Sequence, residues 1–345
     1  MAGQARQKGD FMKRKFTFFT ACFTALIFSA SILFSGCKEK TSDPIQKTGL
    51  LLDTVIGISI YDSDDESLLD KSFDLCESYE DKLSPTIPTS EIYQINHSGG
   101  QPVSVSDDTL ELIQLGIHYG DLSDGLFDIT IAPLSELWDF GNNTGNVPSA
   151  EAVAEAASHV DYHSIQISGN QVWLSDPASG IDLGGIAKGY IADRIRDYLV
   201  SEGVKSAIIN LGGNVLTVGG RPDGTDFNIG IRKPFADDTA SITTAHVKNT
   251  SLVSSGNYQR YFEKDGKIYH HILNPDNGYP IENDLYQVTI LCDSSADADA
   301  FSTICYSLGV EKGLDLINNT EGVEALFVTS DYSLHASSGW EEAVK

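Results

Sequence analysis

Residues 164–175 read SIQISGNQVWLS, two short alternating runs separated by a Gly-Asn pair. Alternation of apolar and polar residues on both sides of a two-residue turn is typical of an antiparallel β-hairpin. A second hairpin is predicted over residues 258–273, YQRYFEKDGKIYHHIL, with its turn at Asp265-Gly266. Because hairpins are mixed with predicted helices, the pattern favours an α+β fold with a largely antiparallel sheet over a doubly wound parallel one.

The rest of the chain alternates between helical and strand patterns. Apolar residues at helical spacing predict helices over residues 65–83, 107–119, 186–200 and 295–308, the last ended by Gly309. Strand patterns cover residues 55–61, 206–220 and 226–232. No fixed-period repeat, low-complexity block or clean linker divides these segments. We therefore predict one compact unit, with or without a minor lobe.

The N-terminal segment has the features of a secretory signal. A basic stretch (residues 13–15) precedes the apolar run FTFFTACFTALIFSASILF (residues 16–34), which is followed by Ser-Gly and Cys37. A Cys directly after Ser-Gly resembles the lipobox of bacterial lipoproteins, in which that Cys is lipidated. A transmembrane anchor is the alternative, because the run approaches the ~20 residues that span a bilayer.

These features predict how the chain is divided. The signal peptide covers residues 1–36, and Met12 is its expected start. Residues 37–48 form the lipidated Cys37 and a polar tether, and residues 49–345 form the folded domain. The expected location is extracytoplasmic, with the protein anchored to the cell membrane.

The composition is strongly acidic. The 345 residues include 23 Lys or Arg and 49 Asp or Glu, which gives a net charge of −26. Removing residues 1–36 takes away five basic residues and one acidic residue, so the charge becomes −30. Such a surface repels nucleic acid, and no nucleic-acid partner is expected. A bound phosphate must then be held by backbone amides, by one or two cations, or by a metal ion.

The segment IDLGGIAKGYIADRI (residues 181–195) combines glycines with the start of a predicted helix. Gly184, Gly185 and Gly189 let the backbone approach a ligand, and amides at a helix start suit an anion. Lys188 adds a positive charge. The order matches neither G-x-x-x-x-G-K-[ST] nor G-x-G-x-x-G. The residues alone are equally consistent with a phosphate loop and with a tight strand-to-helix turn.

The segment SSADADAFSTI (residues 294–304) places a carboxylate and a hydroxyl on one helical face. Asp299 and Thr303 are four residues apart and share that face, whereas Asp297 points about 200° away from Asp299. Such oxygen ligands suit a hard cation such as Mg²⁺. A capped helix with solvated acidic residues is the alternative.

The segment HHILNPDNGYP (residues 270–280) ends a predicted strand. Neighbouring side chains on a strand face opposite sides, so at most one of His270 and His271 can enter a given site. A His near a phosphate and a metal could act as general base for a hydroxyl. A purely structural His is the alternative.

Three further segments carry candidate ligand-binding residues. The glycine pair in INLGGNVLTVGG (residues 209–220) interrupts a predicted strand, which indicates a bulge or a close ligand approach. GLFDITIAPLSELWDFG (residues 125–141) is consistent with a ring-binding wall around Phe127 and Trp138, and equally with a core edge. SSGNY (residues 254–258) lacks the G-x-S-x-G elbow of a serine nucleophile.

Taken in order, these segments resemble the ApbE family, the FAD:protein FMN transferases. The resemblance covers residue 49 to the C-terminus and rests on SEIYQIN (90–96), GLFDIT (125–130), DLGGIAKGY (182–190), INLGGN (209–214), SSGNYQRYF (254–262), HHILNPDNGYP (270–280) and ADAFST (298–303). It implies a T-fold-like α+β domain that binds FAD with Mg²⁺. The implied reaction moves FMN from FAD to a Thr or Ser hydroxyl of a target protein and releases AMP.

The resemblance also implies partners and rival activities. The target would be a membrane electron-transfer subunit or an extracytoplasmic flavoprotein. If water replaces the target hydroxyl, the same site would hydrolyse FAD to FMN and AMP. A flavin-binding lipoprotein without turnover and a solute-binding lipoprotein for another ligand are the non-enzymatic alternatives.

Site residues are implied position by position. The metal ligands would be the Gly185 carbonyl, the Asp299 carboxylate and the Thr303 hydroxyl, and the catalytic residues would be His271 and Asp299. Contacts to FAD are implied for Leu52, Thr54, Thr86, Leu126, Phe127, Asp128, Asp182, Lys188, Ser255, His271 and Ile272. The sequence departs from the family pattern at two places: Leu52-Asp53-Thr54 replaces Met-Gly-Thr, and Thr86 stands where an aromatic residue is common. Either His271 or a carboxylate beside the metal could be the general base.

Overall fold

The domain is organised around an eight-stranded sheet. The computed structural model describes residues 43–142, 144–237 and 239–345. The strands are β1 (Ile45–Leu51), β2 (Thr54–Ile60), β3 (Val103–Ser104), β4 (Ile165–Ser168), β5 (Gln171–Leu174), β6 (Ala207–Leu211), β7 (Asn214–Val218), β8 (Phe227–Arg232), β9 (Ser241–Val247), β10 (Ser251–Gly256), β11 (Tyr261–Lys264), β12 (Lys267–His270), β13 (Leu285–Cys292), β14 (Val323–Thr329) and β15 (Leu334–Ala336). The helices are α1 (Ser67–Leu83), α2 (Glu91–Asn96), α3 (Asp107–Leu122), α4 (Ala132–Trp138), α5 (Ala150–Ala157), α6 (Ala187–Ser201), α7 (Ser295–Asn318) and α8 (Trp340–Ala343).

The strand order of the main sheet is β1-β2-β6-β7-β10-β13-β14-β15. All the pairings between its strands in the described part of the chain are antiparallel. The predicted α+β class with a largely antiparallel sheet is therefore confirmed.

The main sheet is covered on both faces. Val253, Ile290 and Phe327 pack into a large core with α6 and α7, whereas their neighbours Leu252 and Leu291 pack into a smaller core that includes residues of β8, β9 and α8. Successive residues of a strand point to opposite faces, so this division follows from the two-residue period. Burial on both faces makes β13 a nearly continuous apolar run that shows little alternation.

A third hydrophobic cluster joins α4, α5 and the β11–β12 hairpin. Trp138, Phe140 and Phe262 pack there, and the Trp138 indole donates a hydrogen bond to the Gly278 carbonyl at 2.7 Å. Trp138 therefore belongs to a core edge and not to a ligand-binding wall. Residues 43–345 nevertheless belong to a single compact unit.

Most of the predicted elements are confirmed with small shifts of their ends. Gly169-Asn170 forms the turn between β4 and β5, and Asp265-Gly266 forms the turn between β11 and β12. The apolar residues at helical spacing in and beside α6 are buried, namely Ile186, Ile191, Ile195 and Leu199.

Two predictions need correction, and one needs an addition. Gly212-Gly213 does not interrupt a strand but forms the two-residue turn between β6 and β7, with φ of 65° and 96°. Positive φ at both turn positions matches the twist of a hairpin and favours glycine. Gly309 ends the regular helix as predicted, with non-helical angles (φ 77°, ψ 180°), and a second helical segment follows it to Asn318 within α7. Strand β1 begins at Ile45, so residues 45–48 belong to the sheet and not to the tether.

The predicted signal peptide (residues 1–36) and the lipidation site Cys37 lie outside the described residues. Within the described residues, no helix combines the length and apolar character that crossing a bilayer requires.

Candidate active site

A cavity of about 1040 Å³ lies where the turns of the main sheet meet the first turns of α6 and α7. It is larger than the ~300–1,000 Å³ typical of small-ligand pockets, so a dinucleotide-sized molecule can enter. Nearly all the predicted site residues line it: Leu52, Thr54, Leu126, Phe127, Asp128, Asp182, Gly185, Lys188, Ser255, His271, Ile272, Asp299 and Thr303. Thr86 does not: Ser84 and Pro85 line the cavity, and the Thr86 hydroxyl lies 3.0 Å from that of Ser84.

The buried carboxylate of Asp299 sits where α6 crosses α7. Its Oδ2 accepts the Gly189 amide at 3.0 Å and lies 3.9 Å from the Lys188 ammonium. Lys188 also donates to the Gly184 carbonyl at 3.0 Å. Asp299 is only 4% exposed. The first turn of α6 therefore supplies both an amide and a cation to one buried carboxylate of α7.

Gly185 lies at the cavity wall, immediately before the N-cap residue of α6. The Gly189 amide belongs to the first turn of α6, where amides have no partner inside the helix, and Asp299 accepts its hydrogen bond. No backbone amide of the described residues donates to the Gly185 carbonyl. An ideal Cβ placed on Gly185 would lie 3.9 Å from the Thr303 hydroxyl, so Gly185 and Thr303 are neighbours.

The donors assembled at this point suit a hard cation. They are one carboxylate, one hydroxyl and one carbonyl, all oxygen ligands, which Mg²⁺ prefers together with water and phosphate oxygens. Among the described residues, no group of three or more His, Cys, Asp or Glu side chains could hold a metal ion. The residues present therefore fit a cation that draws part of its coordination shell from a bound substrate.

The close contact between α6 and α7 depends on Gly189. Replacing Gly189 by Ala is expected to push the two helices apart. An added Cβ would lie 2.1 Å from the Ser295 carbonyl oxygen and 2.7 Å from the Ala296 Cα, so backbone must move. We expect Gly189→Ala to cost about 2–3 kcal/mol of stability and to weaken metal binding. Urea unfolding and Mn²⁺ titration measure both. Gly57→Ala, whose added Cβ finds only a 3.5 Å contact, is the matched control, and equal effects of the two would contradict the packing argument.

For the glycine-rich loop, the sequence left a phosphate loop and a tight turn equally open. The Gly184 amide donates to Asp182 Oδ1 at 2.8 Å, and the Gly189 amide donates to Asp299. Two of the three glycine amides are therefore used within the protein, as in a tight turn. Gly185 and Lys188 line the cavity, and Lys188 brings a positive charge to it.

His270 and His271 face different surroundings, as the strand geometry predicts. The ring of His270 is buried: its Nε2 donates to the Ile281 carbonyl at 3.0 Å, and its Nδ1 accepts the Ile272 amide at 3.3 Å. Burial lowers the pKa of His270 to about 4. Both nitrogens are occupied, so His270 is structural.

His271 lines the cavity. Its Nδ1 is buried and has no hydrogen-bond partner among the described residues. Burial, with smaller contributions from the charges of His270, Arg260 and Lys188, lowers the pKa of His271 to about 3. The imidazole is therefore neutral at physiological pH, and its unpartnered Nδ1 is available for a hydrogen bond with a bound group.

Asp128 lines the cavity, but both oxygens of its carboxylate accept hydrogen bonds from neighbouring residues. Its Oδ1 accepts the amide and hydroxyl of Thr130 at 2.7 and 2.6 Å, and its Oδ2 accepts the Tyr162 amide at 2.9 Å. Burial raises the pKa of this carboxyl, while those hydrogen bonds oppose the shift. The adjacent Phe127 is buried against Tyr119 and closes the wall beside Gly185.

Leu52-Asp53, which replaces the Met-Gly of the family pattern, forms a strained turn at the cavity rim. Both residues have φ of 54°, a left-handed conformation that is uncommon outside glycine. The Leu52 amide donates to Glu80 at 2.9 Å, which holds the turn against α1. The following Thr54 packs against Gly212, whose added Cβ would lie 2.5 Å from the threonine hydroxyl.

Sequence reasoning missed a cation that lines the cavity. Arg260 places a cation there and donates to the Asp53 carbonyl at 3.4 Å. The sequence offered a clue to Arg260, because this residue lies two positions after the SSGNY segment.

The Ser255 hydroxyl lies 2.7 Å from the Ser302 hydroxyl, which donates a hydrogen bond to the Asp299 carbonyl. Ser255 therefore connects β10 to the helix that carries Asp299.

The fold is α+β, and its large cavity brings together oxygen donors of the kind that suit a hard cation. The chain belongs to the ApbE family, whose model matches residues 52–327. A Klebsiella pneumoniae FAD:protein FMN transferase is 40% identical over 294 residues, covering 84% of this chain and 91% of the relative. A Treponema pallidum protein of the same name is 30% identical, covering 86% of this chain and 87% of the relative.

Solved structures agree with the family assignment. The ApbE protein from Thermotoga maritima superposes with a TM-score of 0.81 at 29% identity, covering 88% of this chain and 100% of that one. The flavin transferase ApbE from Vibrio cholerae gives a TM-score of 0.78 at 28% identity, covering 87% and 99%.

Proposed function

We propose that this protein is an FAD:protein FMN transferase that depends on a divalent cation, most simply Mg²⁺. The observation that carries the proposal is that Gly185, Asp299 and Thr303 line one large cavity together with Lys188 and His271. Family membership and the shared name of the relatives support the same activity.

The reaction balances without a redox partner. The hydroxyl oxygen of a target Thr or Ser attacks the phosphorus of the FMN half of FAD and forms a phosphoester. The bond between that phosphorus and the bridging oxygen of the pyrophosphate breaks, and AMP leaves with the electron pair. The hydroxyl proton passes to a base. The flavin keeps its oxidation state throughout.

The residues of the cavity divide this work. Neutral His271 accepts the hydroxyl proton, since an unassisted hydroxyl is a weak nucleophile. Lys188 lies at the edge of the proposed cation site and offsets charge that develops on the pyrophosphate oxygens. Gly185, Asp299 and Thr303 would hold Mg²⁺, which supplies Lewis-acid stabilisation of the phosphoryl charge when it is bound. In a protein of net charge −26, this local positive charge is needed to hold a polyanionic substrate.

We also propose that the mature protein is anchored by lipidated Cys37 and acts outside the cytoplasm. The support is the segment of residues 13–37, where basic, apolar and small residues precede the cysteine in lipobox order. Cys37→Ala is expected to shift the protein from the membrane fraction to the supernatant. Retention of the variant in the membrane after alkaline carbonate washing would favour a transmembrane anchor instead.

Intact-protein mass spectrometry tests the proposed activity. The protein is mixed with FAD, Mg²⁺ and a candidate acceptor flavoprotein, and the acceptor mass and the released AMP are followed together. Transfer predicts an acceptor heavier by the mass of FMN less one water, with one AMP released per adduct. The same acceptor with its Thr or Ser replaced by Ala is the control and must stay unmodified.

The other outcomes identify the rival functions. Release of FMN and AMP without an adduct for any acceptor tried would favour FAD hydrolysis. FAD bound without AMP release would favour a flavin-binding protein. Failure to bind FAD at all would favour a protein for another solute and would contradict the proposal outright.

A further inference from the structure

A second buried carboxylate mirrors the contact between Asp299 and Gly189. Asp193, on α6, accepts the backbone amides of Ser295 and Ala296 at 3.0 and 2.9 Å. These are the first residues of α7, where amides have no partner inside the helix. A carboxylate of α6 therefore holds the amides of α7, while a carboxylate of α7 holds an amide of α6.

The two contacts act on one short piece of helix. Ser295 begins the turn that leads to Asp299, and Thr303 follows one turn later. The Ser295 side chain is fixed as well, because its hydroxyl donates to Asn214 Oδ1 at 2.7 Å and accepts from the Ser251 hydroxyl at 2.8 Å. The N-terminus of α7 is thus tied to α6, β7 and β10.

We propose that Asp193 is a positioning residue for the cation site, acting through the N-terminus of α7. It does not line the cavity, so it touches neither a ligand nor the reacting atoms. Its two hydrogen bonds set where α7 starts relative to α6, and hence where Asp299 and Thr303 meet Gly185. This inference rests on the cation site of the proposed function.

The charge of Asp193 is itself supported. Arg196, one turn along α6, lies 2.8 Å from Asp193 Oδ1 and also donates to the Asp293 carbonyl at 3.0 Å. The helix dipole of α7 adds a favourable interaction with an anion at its N-terminus. Burial raises the pKa of the Asp193 carboxyl, while the hydrogen bonds from the Ser295 and Ala296 amides and the charge of Arg196 oppose that shift.

Asp193→Asn is the sharpest substitution. The asparagine keeps one carbonyl oxygen but places its NH₂ group against the second amide, so a donor faces a donor and α7 must shift. We expect Mn²⁺ affinity, measured by electron paramagnetic resonance with FAD present and no acceptor protein, to fall about 10–100-fold, as for supporting residues of metal sites.

Glu324→Gln is the matched control. Glu324 also accepts a backbone amide, that of Gly339 at 3.1 Å, but this bond holds the start of α8 and not the start of α7. It is expected to lower thermal stability while Mn²⁺ affinity stays unchanged. In a double variant, Asp193→Asn with Asp299→Asn, the loss of Mn²⁺ affinity should be smaller than the two single losses combined, because both substitutions act on the ligands that α7 carries.

The outcomes separate this inference from the proposed function. Unchanged Mn²⁺ affinity in Asp193→Asn, while the unsubstituted protein binds Mn²⁺, would overturn the positioning role and leave the transferase proposal standing. Equal losses of affinity in Asp193→Asn and Glu324→Gln would also overturn it, since both would then reflect general destabilisation. Absence of Mn²⁺ binding by the unsubstituted protein would overturn the cation site itself.

Discussion

Asp299→Asn is expected to lower the rate of FMN transfer about 10³-fold, the size of loss typical when one charge-stabilising group leaves a preorganised site. The asparagine oxygen can still accept the Gly189 amide, so the crossing of α6 and α7 survives. Only the negative charge is lost, and with it the ligand that a hard cation binds most strongly. The transfer rate at saturating FAD, measured over a range of Mg²⁺ concentrations, checks this.

Asp297→Asn is the control for Asp299→Asn. It removes the same charge from the same helix, but Asp297 does not line the cavity. We expect nearly unchanged transfer and unchanged Mg²⁺ dependence. If both variants lost activity equally, the loss would reflect the charge or stability of α7, and Asp299 would have no special place in the reaction.

His271→Ala is expected to slow transfer about 10²–10⁴-fold, which is the usual contribution of a positioned general base. FAD binding should change less than the rate, because the proton is transferred only during reaction. Imidazole added to the variant should restore part of the rate by filling the space that the side chain leaves. If His271→Ala kept a rate close to that of the unsubstituted protein and imidazole did not change it, His271 would not be the general base. A carboxylate would then be the base instead.

The pH dependence sharpens the test of His271. Its pKa is lowered to about 3 from an ordinary 6.5, so the imidazole stays unprotonated as pH falls through 6.5. We expect no loss of transfer with a midpoint near 6.5 in the unsubstituted protein. In the unfolded chain the same His binds a proton below 6.5, so its contribution to stability is present above that pH and is lost as pH falls towards 3.

His270→Gln is the comparison for stability. Both ring nitrogens of His270 are hydrogen-bonded in the interior. Its replacement should lower the melting temperature, whereas His271→Ala should mainly lower the rate. A reversal of these two effects would contradict the assignment of one His to structure and the other to chemistry.

Local pattern was sufficient for much of the fold. The hairpins at residues 164–175 and 258–273 could be predicted because turn chemistry and two-residue alternation depend on neighbours in the sequence. Strands such as β10, β13 and β14 could not, because both of their faces are covered and alternation disappears. Gly212-Gly213 was misread for a related reason: two buried strands joined by two glycines look like one interrupted strand.

The candidate site was predicted mainly through family resemblance and the i,i+4 spacing of Asp299 and Thr303. Residue types alone were equally consistent with a phosphate loop and with a tight turn at residues 184–189. The structure uses the Gly184 and Gly189 amides within the protein. The acceptor of the Gly189 amide lies 110 residues away in the sequence, a contact that no local pattern contains. The role of Asp193 is hidden in the same way, because its partners begin 102 residues later.

The central claim is that one cation, held between α6 and α7, faces the substrate pyrophosphate. A crystal structure with FAD and Mn²⁺, with data collected for Mn anomalous scattering, tests it most directly. We predict one anomalous peak within about 2.0–2.5 Å of the Gly185 carbonyl, the Asp299 carboxylate and the Thr303 hydroxyl, with FAD phosphate oxygens completing the shell. A peak bound elsewhere in the cavity, with the Gly185 carbonyl facing no cation, would contradict the claim.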